Sequence, residues 1–316
     1  MTAVAALQTA HEALRAFSTA DEPLAPFTTY KVGGTAALFA SPRNDDELRL
    51  VAEVVRETGL PTLVVGRGSN LLVADAGFRG IAISLASMAD WLEFHGTVVH
   101  VGASVALPVV ARRSVAAALT GFEWAVGVPG SIGGAVRMNA GGHGSDIAAC
   151  LVGVHALDLR TGVHRWVPVE QLGLHFRGSA LASHQVVLDA RLQLSVGVVE
   201  TGEATLAEIV RWRREHQPGG QNAGSVFVNP IPGELPAAAL IDRLGLRGVR
   251  IGGAFVSEKH ANFVQATPGA SASDVRAVME HVRAAVREQT GFELRSEICL
   301  VGFDDVPEES GEGVAM

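Results

Sequence analysis

Two glycine-rich loops are the residues whose types and spacing could do chemistry. The first, Gly66-Arg67-Gly68-Ser69-Asn70-Leu71, follows a short β-type run at Thr62–Val65. Glycines let a backbone approach a phosphate closely, and successive N–H groups form an anion-binding nest. It is not a dinucleotide fingerprint, because Leu71 stands at the third glycine position, and it is not a Walker loop, because no Lys-Ser or Lys-Thr follows. Taken alone, an ordinary tight turn remains the alternative. The second loop runs from Gly127 through Val128, Pro129, Gly130, Ser131, Ile132, Gly133, Gly134 and Ala135 to Asn139 and Gly142. Small side chains at Gly130, Ser131, Gly133, Gly134 and Ala135 leave little to block a ligand, and Ser131 and Asn139 add polar tips. Close helix packing is the plainer explanation; cofactor binding is the favoured one. Two such loops suit a pyrophosphate and a ring system clamped between them.

Three single residues join them. Ser225 stands between Gly224 and the turn Asn229-Pro230, without the Gly-x-Ser-x-Gly elbow of a serine hydrolase. Arg177 sits in Phe176-Arg177-Gly178-Ser179, and Glu297 between Ser296 and Ile298. Each alone reads structurally, as a strand start, a surface ion-pair partner and a solvent-facing edge residue. Cys150 and Cys299 have no partner at ligand spacing and there is no His-Glu-x-x-His run, so no metal site is expected; the cysteines read as buried free thiols.

The elements that must position these groups follow from composition and periodicity. A chain of 316 residues makes one large or two to three small domains. Hydrophobic residues at 48% suffice for buried cores, and aromatics at 5% make those cores mostly aliphatic. A net charge of −8 without a basic run argues against nucleic acid. The absence of a secretory leader and of a long apolar run points to a soluble, cytoplasmic protein. Asn44 with Glu47 predicts a capping box before the stripe Leu48, Val51, Val55, ended by Gly59 and Pro61. A helix is expected at Leu107–Leu119, a hairpin around Arg160-Thr161-Gly162, and a half-buried strand at Val186–Leu194. A long helix follows Ser273 with Val275, Val278, Met279, Val282 and Val286 on one face, and Ile298–Val301 is the last strand. The mixture predicts an α+β fold rather than a doubly wound parallel sheet. The tail 304–316 is expected to be disordered and acidic.

In this order the motifs resemble those of the UDP-N-acetylenolpyruvoylglucosamine reductase family. They begin with Thr29-Tyr30-Lys31-Val32-Gly33-Gly34 and Gly68-Ser69-Asn70-Leu71-Leu72-Val73, continue through the 127–142 loop, Arg177 with Ser179, Gln217-Pro218 and Gly224–Pro230, and close with Leu240-Ile241-Asp242, Gly252-Gly253-Ala254, Ser257–Phe263 and Glu297. The resemblance implies a vanillyl-alcohol-oxidase-type (PCMH-like) FAD-binding domain at 24–197, in subdomains of about 24–86 and 87–197, after an N-terminal helical extension at 1–23. A smaller α+β substrate domain follows at 203–303. It implies FAD, NADPH as the visiting hydride donor, a UDP-sugar substrate, a likeness to the shorter subclass without the tyrosine-bearing insertion, and a monomer. Arg177 and Glu297 would flank the enolpyruvyl group, with a raised pKa at Glu297, and Ser225 would protonate the second carbon. Asn229, Lys259, His260 and Asn262 would contact the substrate. Three departures stand out: Phe176 replaces the usual tyrosine, and His216 and Val228 replace two usual lysines near the diphosphate path, leaving Lys259 and His260 as compensating cations. A paralogous flavin reductase or oxidase for a related enol ether or nucleotide sugar is the alternative, although the first loop holds no histidine for covalent flavin attachment.

Overall fold

A computed structural model describes residues 2–303; the expected acidic tail lies outside them. The helix Ala3–Leu14, capped by the Thr2 hydroxyl, buries Ala6, Ala10 and Leu14. The first sheet runs Ser18–Pro23, Thr35–Ala40, Phe78–Ile83, Thr62–Val64 in space. Its first pair is antiparallel and the others parallel. Parallel neighbours need a crossover, and the helix Asp45–Thr58 supplies it. Asn44 caps that helix by accepting the Glu47 N–H at 3.0 Å, and Gly59 ends it at φ 66°. The expected capping box is only half made. The Glu47 carboxylate accepts the N–H of Arg43 at 2.7 Å rather than that of Asn44, because the Arg43 guanidinium holds the same carboxylate.

The second sheet is antiparallel: His164–Pro168, Leu151–Asp158, Gln185–Gln193, Val98–Gly102, Leu92–His95. Its hairpin turns where expected, with Asp158 Oδ1 accepting the N–H groups of Arg160 and Thr161 at 3.0 Å each. Val186, Leu188, Ala190 and Leu192 face the core. Val187 is buried too, beside a register shift between His155 and Ala156 that breaks strict alternation. The helices Leu107–Ala116 and Ile132–Arg137 belong to the same core, the second of them packed on Gln185–Gln193. The first of these stops short of the expected Leu119.

The C-terminal unit pairs three short antiparallel strands, Arg250–Ile251, Ala254–Val256 and Val264–Ala266, with the helix Ala272–Thr290. That helix buries the five apolar residues named from its sequence and starts from a capping box of Ser271 and Asp274. Asp75, from the N-terminal unit, accepts the N–H groups of Ala272 and Ser273 at 2.8 and 2.9 Å, where the helix dipole favours an anion. The helix Val199–His216 departs from the expected boundary at 203. Its Leu206, Ile209 and Val210 join the large N-terminal core, against the turn Glu123–Gly127, so most of it lies on the N-terminal side. The last strand, Cys299–Val301, crosses back to pair in parallel with Leu71–Val73. That crossing carries Glu297 to the end of the first glycine loop. Cys150 is buried and Cys299 exposed, without a disulfide between them. Among the described residues no helix is long and apolar enough to cross a membrane.

Candidate active site

The first loop presents a row of backbone donors. Among the described residues, the N–H groups of Gly66, Arg67, Gly68, Ser69 and Asn70 donate to no protein acceptor. Gly68, at φ 57°, lies on the turn below: a Cβ there would stand 2.0 Å from the Phe27 carbonyl oxygen. The second loop faces the first. A Cβ on Gly66 would fall 2.6 Å from Ser131 Oγ, and one on Gly130 would fall 3.7 Å from Ser69 Oγ and 3.3 Å from Leu107 Cδ1. Gly66, Arg67, Pro129 and Gly134 are exposed along this gap. Unused N–H groups facing a side-chain-free wall fit an elongated anionic cofactor such as a dinucleotide.

Not every residue of the loops faces that gap. Gly127 is required by packing, since its Cβ would lie 2.1 Å from Arg213 Cδ, and a Cβ on Gly133 would press on that of Ala103 at 3.1 Å. Ala135 is in the core, and Leu71 opens the strand that pairs with Cys299. Asn139 is corrected from ligand to brace: it is buried, donates to the His175 carbonyl at 3.1 Å and to Asp146 at 3.3 Å, and accepts the Ala148 N–H at 3.2 Å. The Asn70 carboxamide likewise donates to the Glu297 carbonyl at 3.0 Å.

These braces converge on Arg177 and Glu297. Asn139 holds His175, and Ser179 Oγ donates to the Arg137 carbonyl at 2.7 Å, so the second loop clamps both sides of Arg177. His175 and Gly178 exchange backbone hydrogen bonds, leaving Phe176 and Arg177 at the tip of a tight turn. Arg177 takes φ 61° there, a position glycine usually fills, at a cost of about 1–3 kcal/mol. Strain of that kind concentrates at functional sites, and here it aims the guanidinium. Arg177 Nε stands 2.7 Å from Glu297 Oε1. The approach is off the N–H axis, so the contact is an ion pair without an aligned hydrogen bond. The guanidinium also lies over the Phe176 ring at 5.0 Å, a contact the missing tyrosine hydroxyl does not alter. Burial raises the Glu297 carboxyl above its ordinary value, and Arg177 opposes that rise.

Ser225 lies in the neighbouring segment. Val226 accepts the Glu297 N–H at 2.9 Å and donates to the Asn262 carbonyl at 2.9 Å. Ser225 to Val228 is thus held between residues 262–263 and 295–297. Asn262 makes that clamp and is corrected in role. It is buried, accepts the Phe227 N–H at 3.1 Å and donates to the Phe227 carbonyl at 2.8 Å, so its carboxamide is closed to substrate. Asn229 Oδ1 accepts the Ala237 N–H at 3.1 Å and ties down the start of the helix Ala237–Arg243. Lys259 reaches the Arg214 carbonyl with its ammonium group. His260 is not the compensating cation expected: burial and the Arg247 charge lower its pKa, and its Nδ1 accepts the Asn262 N–H. His216 stacks on Trp212 at 4.7 Å, and Val228 is buried. Sequence reading missed the bracing role of Arg137, which donates to the Leu181 and Ala182 carbonyls. Its only signal was its place within the second loop.

Comparison with known proteins decides the lineage. The profile described as "UDP-N-acetylenolpyruvoylglucosamine reductase, C-terminal domain" matches residues 214–301, and that described as "FAD binding domain" matches 36–167. The UDP-N-acetylenolpyruvoylglucosamine reductase of Bacillus subtilis (strain 168) is 39% identical over 286 residues, covering 90% of this chain and 93% of the relative. That of Heliobacterium modesticaldum is 41% identical over 283 residues, covering 89% and 90%. This chain belongs to the UDP-N-acetylenolpyruvoylglucosamine reductase family. A crystal structure of the reductase from Thermus caldophilus superposes with a TM-score of 0.78 at 32% identity, over 90% of this chain and 98% of that one. The fold is that of an FAD-dependent oxidoreductase, with the FAD-binding unit first and the reductase's own C-terminal domain after it.

Proposed function

We propose that this chain reduces UDP-N-acetylglucosamine enolpyruvate to UDP-N-acetylmuramate with NADPH, in peptidoglycan synthesis. One observation supports the reading: Arg177 Nε meets Glu297 at 2.7 Å, the two glycine loops anchor the backbone at Glu297 and beside Arg177, and the Glu297 N–H ties in the Ser225 segment through Val226. The backbone N–H groups of Gly66 to Asn70, opposite Gly130, Ser131 and Gly134, would hold the anionic part of FAD, which when bound would supply hydride chemistry. Arg177 Nε is buried against Glu297 Oε1, which leaves the terminal guanidinium nitrogens to meet the substrate carboxylate and the charge that grows there. Burial raises the Glu297 carboxyl and its ion pair with Arg177 opposes that rise, so the guanidinium offsets the repulsion between Glu297 and the substrate anion. Ser225 donates a proton to the carbon bearing the carboxylate.

Residues 24–197 together with most of the helix Val199–His216 form the FAD-binding domain, and the residues after that helix, up to 303, form the substrate domain. Asn229, Lys259 and His260 line the substrate side, where Lys259 is the available cation. The protein works as a cytoplasmic monomer. A second reading, a reductase for a related enol ether, is favoured by the absence of lysine at 216 and 228. The deciding experiment is anaerobic. Protein reduced with NADPH is mixed with UDP-N-acetylglucosamine enolpyruvate, and the oxidised flavin spectrum should return. Flavin that stays reduced until oxygen is admitted would overturn the assigned substrate.

A further inference from the structure

We propose that His100, Asp189 and His155 form a site for one divalent transition-metal ion on the outer face of the five-stranded sheet. The residues come from three adjacent strands and alternate with the buried Val99, Val101, Leu188, Ala190, Val154 and Ala156, so period two turns them away from the core. His100 Nε2 lies 2.9 Å from Asp189 Oδ1, and His155 Nδ1 lies 2.9 and 3.0 Å from its two oxygens. All three donor atoms fall within 4.8 Å of one another. Around a tetrahedral ion with ligands at about 2.1 Å, donor atoms stand roughly 3.4 Å apart, so small side-chain rotations suffice. Two imidazoles and one carboxylate suit zinc, nickel or copper, and leave an open position for water. Both rings are braced, since Trp91 meets His100 edge-on at 4.7 Å and Trp166 meets His155 at 5.1 Å. Side-chain exposures of 23%, 14% and 30% give the ion a way in. The opposing charge on this face is Arg191, drawn over the Trp166 ring at 4.9 Å. On binding, the two N–H groups facing Asp189 give up their protons to solvent, a neutral ring takes one up on its other nitrogen, and the freed lone pairs of His100 Nε2 and His155 Nδ1 bond to the ion. Acid therefore competes with the ion. The expectation of no metal site rested on spacing motifs, which cannot register ligands contributed by three separate strands.

The test is calorimetric titration of Zn²⁺ into tag-free, chelator-treated holoenzyme. One equivalent should bind, and Asp189→Asn and His155→Gln should each weaken binding at least ~10-fold, while His11→Ala, on the exposed face of the N-terminal helix, leaves it unchanged. Flavin absorbance per chain reports that the variants are folded. Copper EPR should show two coupled nitrogens in the parent and one in His155→Gln. No binding, or equal binding by parent and variants, overturns the site.

Discussion

Truncating Asn262 separates a structural clamp from a substrate contact. The carboxamide is 3% exposed and makes two hydrogen bonds to one residue, Phe227, itself 1% exposed. In Asn262→Ala the Phe227 N–H and carbonyl both lose their partner where water cannot replace it. A buried backbone group left unpaired costs about 1–3 kcal/mol, so the pair predicts a loss of roughly 2–6 kcal/mol, large against a typical stability of about 5–15 kcal/mol. The same change frees the segment carrying Ser225, so reoxidation of the reduced flavin by substrate should slow more than its reduction by NADPH. Denaturant unfolding followed by near-ultraviolet circular dichroism measures the first effect, and stopped-flow absorbance the second. Asn262→Asp should be at least as destabilising as Asn262→Ala at neutral pH, because it buries a carboxylate against the Phe227 carbonyl oxygen, and should recover as acid protonates it. A variant as stable as the parent with only a raised KM for the sugar nucleotide would refute the clamp and restore Asn262 as a ligand.

Ser225→Ala should leave flavin reduction by NADPH intact and slow oxidation by the enolpyruvyl sugar at least ~100-fold; equal slowing of both half-reactions would make the serine structural. Gly130→Ala adds a Cβ at tight but tolerable distance and should retain flavin, whereas the branched side chain of Gly130→Val closes the gap toward Leu107 and Ser69 and should yield colourless protein; full occupancy in the valine variant would contradict the loop apposition. Glu297 has a raised folded-state pKa, so the native state favours its protonated form. That preference stabilises fully below the ordinary carboxylate value of 4.5 and is lost as pH rises through the folded value. The stability of Glu297→Gln relative to the parent should accordingly rise with pH across that window, as read from chemical denaturation at several pH values; a difference independent of pH would show that burial does not govern this carboxyl.

Much of the architecture was legible because it is local. The stripe Val275, Val278, Met279, Val282 and Val286 specified its helix and its buried face, and Arg160-Thr161-Gly162 marked the hairpin turn. The capping pair Asn44 and Glu47 was half legible: the cap formed, but Arg43 redirected the glutamate, and competition between neighbouring donors is not visible in a spacing rule. The boundary at 203 misled because an amphipathic helix shows that it has an apolar face without showing which core receives it.

The sequence by itself determined the candidate residues and the order in which they occur: two glycine loops without a nucleotide fingerprint, Arg177, Ser225 and Glu297. Tertiary structure alone decided which polar side chains remain available. Asn70, Asn139 and Asn262 have the look of ligands in one dimension, yet each satisfies buried backbone groups contributed by distant segments. The same holds for the ion pair of Arg177 with Glu297 and for the three strands that bring His100, His155 and Asp189 together. Such contacts depend on strand register and on the return of the last strand to the first loop, and long-range pairing is set by how the cores close rather than by neighbours along the chain.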